Sequence, residues 1–126
     1  MGTGLKVALP PVKINFPISK AIEGTLKSLS NLLEFYGISS SNAKEIEEKT
    51  LEILENPGEN GGRVEIDIFP KRERIKIDIA IKKRFEENDL TFSFKSEKIK
   101  IIKITRKGER VKINIEVMRD SFKLKQ

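Results

Sequence analysis

Hydrophobic residues along this chain keep two rhythms, and each change of rhythm marks an element. Val12, Ile14 and Phe16 alternate with Lys13 and Asn15, which predicts a short peripheral strand closed by Pro17. From Ser19 the period lengthens. Ile22, Leu26, Leu29, Leu33 and Tyr36 recur every three or four residues with Leu32 widening the stripe, the signature of an amphipathic helix. Ser19 is a candidate N-cap, and Gly37 a candidate left-handed residue past the helix end. Gly24, inside the helix, costs about 1 kcal/mol against Ala unless something packs closely there.

After the polar connection Ser39 to Asn42, a second helix is expected. Asn42 and Glu45 form a capping-box-like start, Ala43, Ile46, Thr50, Ile53 and Leu54 an apolar face, and Pro57-Gly58 a stop. Period 2 then returns. Val64, Ile66 and Ile68, and beyond the loop Pro70 to Glu73 the run Ile75, Ile77, Ile79 and Ile81, predict two antiparallel strands. Lys83 to Asp89 reads as a charged loop, and Leu90 to Lys98 fits either strand or helix. The Ile101-Ile102 doublet breaks alternation and implies a bulge or an element boundary. Arg106 to Glu109 is a hairpin turn into a last strand carrying Val111, Ile113, Ile115 and Val117.

One oily strand face and two amphipathic helices require each other. The expected fold is therefore α+β, a two-layer α/β sandwich. Its sheet would be mixed but mostly antiparallel, of about five strands, with two or three helices on one face. Residues 1–11 are expected to be a lead-in, 12–117 a single domain and 118–126 a basic tail.

Composition narrows the chemistry. The 126 residues contain no Cys and no His, which removes disulfides, thiolate nucleophiles, imidazole bases and the usual zinc ligands. Charged residues make up 35%, with Lys, Glu and Ile prominent, a balance seen in proteins of hot environments. With no apolar run near about 18 residues and no apolar signal core, the expectation is a cytoplasmic protein with no membrane partner. Residues 1–62 hold six Lys/Arg and eight Asp/Glu, while 63–126 hold nineteen and eleven, so the strand-rich half carries the positive excess. Lys71, Arg72, Arg74, Lys82, Lys83, Arg84, Arg106 and Lys107 are the candidate basic patch, suited to nucleic acid or an acidic surface. The competing explanation is a solvated sheet face that needs no partner.

Glu52-Ile53-Leu54-Glu55-Asn56 spells an E-x-x-x-N box at the end of the second helix, followed by a Gly/Asn-rich turn and hairpin from Gly58 to Ile81. With a strand and helix ahead of it and a hairpin behind, the chain over Val12 to Val117 resembles the GHKL ATP-binding fold, in its anti-sigma-factor/serine-kinase branch. That resemblance implies a phosphoryl-transfer role for Glu52 and a magnesium-holding role for Asn56. It also exposes departures. Pro57 and Gly58 follow the box at once, Ile81-Lys82-Lys83-Arg84-Phe85 replaces the D-x-G-x-G adenine reader, the lid shrinks to Lys83 to Asp89, and Gly108 is followed by Glu109 where Ser or Thr is usual. Phosphoryl transfer depends on the whole positioning apparatus, so Glu52 and Asn56 are expected to be vestigial, with no catalytic residue, metal or cofactor.

The expected function is a non-catalytic regulatory module that binds a protein, such as a sigma factor or an anti-sigma antagonist. Self-association to a homodimer is compatible with it. One alternative is a divergent serine kinase or anti-sigma factor using ATP and magnesium. The other is a nucleic-acid-binding domain that uses the basic half.

Overall fold

The structure is a computed structural model in which residues 10–18, 22–54, 62–82 and 93–119 are described. The elements run β1 (Val12–Pro17), α1 (Ile22–Phe35), α2 (Ser40–Leu54), β2 (Arg63–Pro70), β3 (Arg74–Lys82), β4 (Ile99–Lys107) and β5 (Arg110–Met118). The five strands form one sheet in the order β1-β2-β3-β5-β4. Every pairing is antiparallel. This is the expected α+β two-layer arrangement, with a sheet that among the described residues is antiparallel throughout and not mixed, β1 at one edge and β4 at the other.

Register turns the sequence alternation into a lattice. Phe16, Val64, Ile81 and Val111 lie side by side across four strands, as do Ile14, Ile66, Ile79 and Ile113, and then Val12, Ile68, Ile77 and Ile115. Directly opposed residues point to the same face of a sheet, so these rows form one apolar surface. β-Branched side chains suit it because they pack well on a pleat. The isoleucines of β2 and β3 are 0% exposed. Leu26, Leu29 and Leu33 of α1 and Ala43, Ile46, Ile53 and Leu54 of α2 close over them in one core cluster.

The turns explain how two helices fit over this face. Ile38 N donates to Leu33 O and Gly37 N to Glu34 O, both at 3.0 Å, which is a Schellman ending with Gly37 at φ 99°. The start of α2 differs from the capping box expected at Asn42. Ser39 is the cap: its Oγ accepts from Asn42 N at 3.2 Å, and its carbonyl accepts from Ala43 N at 2.9 Å. Asn42 thus lies inside the first turn and is buried. Buried Thr50 is satisfied within the helix, its Oγ1 donating to Ile46 O at 2.7 Å.

Glu45 reaches across the molecule instead of back to a cap. Its carboxylate accepts from Lys95 N and from Ser96 N, the latter at 3.2 Å. Two backbone donors fastened to a helix fix the segment ahead of β4 as a loop, so 93–98 is neither helix nor strand. Residues 90–92 lie outside the described residues, as do Ser19, Pro57 and Gly58. At Ile101 to Lys103 the β4–β5 register slips, a β-bulge at the isoleucine doublet. The β4–β5 turn has Gly108 at φ 63° and Glu109 at negative φ, the pattern of a type II′ turn.

A Cβ added at exposed Gly24 would meet nothing within 4 Å. Gly24→Ala is therefore expected to stabilise the fold by about 0.5–1 kcal/mol, read as a higher urea midpoint at unchanged m-value. Glu45→Gln weakens two charge-assisted bonds, and a loss of about 1 kcal/mol is expected. The amides of Lys95 and Ser96 would exchange faster in that variant while those of β3 keep their relative protection.

Candidate functional site

Glu52, the box glutamate, stands on the solvent side of α2. Its side chain is 69% exposed, and Oε1 lies 4.0 Å from Lys49 Nζ, one helical turn away. Asn56 lies outside the described residues, as do Lys83 and Arg84. Ile81 is fully buried, and Ile53 and Leu54 of α2 belong to the same core cluster. Among the described residues, no group of three or more acidic side chains comes together in a way that could hold a metal.

Among the described residues, the members of the basic patch do not gather as one surface. Lys71 and Arg72 lie at the β2–β3 turn and Arg74 opens β3, whereas Lys82 closes that strand. The length of β3 puts roughly 26 Å between those two groups. Arg106 opposes Val111, so it points to the helix side of the sheet, while Lys107 opposes Arg110 on the open side.

A different constellation forms on the open face. Counting inward-facing isoleucines as reference, the strands carry ten cations and four carboxylates on the opposite face. The helices carry six Glu and three Lys on theirs. The molecule is therefore charged on two sides with opposite sign. Three of the four open-face carboxylates are engaged. Asp67 lies 3.7 Å from Lys13, Glu116 lies 3.6 Å from Arg74, and Asp78 accepts from Asn114 Nδ2. The two ion pairs cancel Lys13 and Arg74 against Asp67 and Glu116, while Asp78, held by a neutral amide, keeps its charge in the middle of β3. On β5 and β4, by contrast, Arg110, Lys112, Lys100, Lys103 and Lys107 share the open face with Glu116 alone.

At the end of the sheet near the β4–β5 turn, the charges line up. Arg63, Lys82, Arg110 and Lys107 occupy four consecutive register positions on β2, β3, β5 and β4. Adjacent strands lie about 4.8 Å apart, so the row is about 14 Å long. Like charges directly opposed in a sheet are unfavourable. One row inward, Ala80 sits between Glu65 and Lys112. Its small side chain leaves a hollow of about 220 Å³ lined by Asn15, Arg63, Glu65, Ala80, Lys82 and Arg110. Arg63 is oriented over it by a bond from Nη2 to Asn15 Oδ1 at 2.9 Å.

The candidate basic patch of the sequence leaves out Arg63, Arg110 and Lys112. The signal was in the alternation: counting back from Val64 and Val111 places Arg63 and Arg110 on the polar face. Their alignment with Lys82 and Lys107 is fixed by the two hairpins.

One further cation belongs elsewhere. Arg119 N donates to Glu73 O at 3.0 Å and ties the end of β5 to the β2–β3 turn. Its Nε is buried with no hydrogen-bond partner among the described residues. Burial pulls the guanidinium pKa below its ordinary value, and neighbouring Tyr36 acts in the opposite direction.

No family model matches this chain, and no curated protein matches it in sequence.

The cation row is adverse to folding by itself. Lys82→Glu would place a carboxylate between Arg63 and Arg110, and the fold should gain about 0.5 kcal/mol at low salt. Urea unfolding at two ionic strengths checks this, because the gain should shrink as salt screens it.

Proposed function

We propose that this chain is a non-catalytic binding module whose open sheet face docks a polyanionic partner, with a nucleic-acid backbone as the best fit. The one-sided charge carries this reading. The face opposite the helices gathers a cationic excess, and that excess lies on β5 and β4 after the local ion pairs are taken out. A flat, rigid array of Lys and Arg supplies phosphate contacts and long-range attraction, while the acidic helix layer turns the same partner away. Phe69 faces the open side of β2 across from Lys76, where a base could stack.

A second reading keeps the regulatory protein partner, such as a sigma factor or its antagonist, and places it on the helix layer. Phe35 supports it. The ring is 76% exposed at the end of α1, beside Tyr36 at a centroid separation of 5.8 Å. A photo-crosslinker at position 35 would then give one discrete protein adduct in cells, and a diffuse background would count against it. Both readings are non-catalytic. Calorimetry with Mg-ATP should show no binding heat, and micromolar binding abolished by Asn56→Ala would overturn them.

The polyanion reading is tested by fluorescence anisotropy with a short single-stranded oligonucleotide. Binding should weaken steeply with salt, with a slope near −0.7 per phosphate neutralised. Lys107→Glu combined with Arg110→Glu should reduce affinity by at least about tenfold at low salt. The helix-layer variant Lys27→Glu should leave it within about twofold. No binding, or binding indifferent to salt, would reject the reading.

A further inference from the structure

The hollow above Ala80 has features that a general cationic face does not require. A phosphate track needs cations in sequence, yet here Arg63, Lys82 and Arg110 converge on one concave spot with a small residue at its floor. Its volume of about 220 Å³ falls short of the roughly 300 Å³ at which ordinary ligand pockets begin, so it suits a chemical group and not a whole cofactor. Two of its three cations are arginines, whose planar forks match the oxygens of a phosphate. The bond to Asn15 uses one of the five N–H donors of Arg63 and fixes the direction of the fork.

The charge of the hollow narrows the group. Against three cations stands one carboxylate, Glu65, which leaves a formal charge of +2. A phosphate monoester carries about −1.5 to −2 near neutral pH and balances this. An internal phosphodiester, with a single charge, leaves the hollow under-neutralised. From the rim the cations continue to Lys107 beside Arg110, to Lys112 one row on and to Lys103 in the row beyond that. A monoester that is followed by a string of single charges is the end of a nucleic-acid strand.

We infer that the hollow over Ala80 receives the terminal phosphate of a nucleic-acid strand, whose following phosphodiesters run along β5 and β4. This rests on the reading of the open face as a polyanion surface. Glu65 offsets one of the three positive charges while the hollow is empty.

The test uses the full chain and short single-stranded oligonucleotides bearing a 5′-phosphate, a 3′-phosphate or hydroxyl ends, compared by anisotropy at one salt concentration. At least one phosphorylated end should bind about tenfold more tightly than the hydroxyl-ended strand. Ala80→Leu fills the hollow from its floor. It should erase that preference while the hydroxyl-ended strand changes by less than about twofold. Lys82→Gln, which alters charge without adding volume, should erase the preference independently. Equal affinity for phosphorylated and hydroxyl ends would overturn the inference while leaving the polyanion surface standing. So would a preference that survives both substitutions. Tighter binding of a phosphoserine peptide than of the end-phosphorylated strand, lost in Ala80→Leu, would overturn the nucleic-acid occupant. Failure to bind any oligonucleotide rejects the surface itself and the inference with it.

Discussion

The structure depends on the registered rows of β-branched side chains across β1, β2, β3 and β5. A strand has two faces and a period of two, so placing every isoleucine of β2 and β3 on one side places every Lys, Glu and Asp on the other. The apolar side must be covered, which α1 and α2 do with a leucine stripe from one and a smaller Ala/Ile face from the other. A slip of one residue in any pairing would turn isoleucines into water and bury lysines. Removing a single buried Ile side chain costs about 2–5 kcal/mol, so a whole slipped strand exceeds the ~5–15 kcal/mol that holds a domain together. Register is therefore set by the core, and the composition of the open face follows from it.

Edge protection explains some of the lysines on that face. β4 is an edge strand, and Lys100, Lys103 and Lys107 together with the bulge at Ile101 to Lys103 are what an unpaired edge needs to discourage pairing with another chain. β1 is blunted differently, by Pro11 ahead of it and Pro17 at its end. Lys82, Arg110 and Lys112 have no such reason. They stand on β3 and β5, whose edges are both paired. Three like-charge contacts in the row from Arg63 to Lys107 oppose folding by something on the order of 1 kcal/mol. That is a tolerable fraction of domain stability.

Most of the architecture could be read from local pattern, and the exceptions share a cause. Both helices, the strand alternation and the two hairpins announce themselves through periodicity within short windows. The bulge was visible as a doublet that breaks alternation. The start of α2 was misplaced by three residues because Ser39 and Asn42 are both good caps, and the choice depends on how tightly the chain leaves the Gly37 ending. Glu45 looked like the second half of a capping box because its true partners, the amides of Lys95 and Ser96, are fifty residues away in the chain. The candidate site shows the same limit more sharply. Each cation of the row was plain in the sequence, yet the row exists only because β5 inserts between β3 and β4, and no window of residues contains that fact.

Where the charges stand also bears on how well they could bind. Loop lysines must be ordered when a partner arrives, at about 0.5–1.5 kcal/mol for each flexible side chain and more for the backbone beneath it. Arg63, Lys82 and Arg110 start from strand backbone whose opposite face is the rigid core, and Arg63 is further held by Asn15. The type II′ turn at Gly108 fixes Lys107 against Arg110 at the end of the same row. Their backbone ordering is complete before any ligand binds, so more of each contact is retained as affinity. Glu52 on α2, solvated and paired within its own helix, has no comparable setting. The preorganised charge thus lies on the sheet and not at the E-x-x-x-N box of α2.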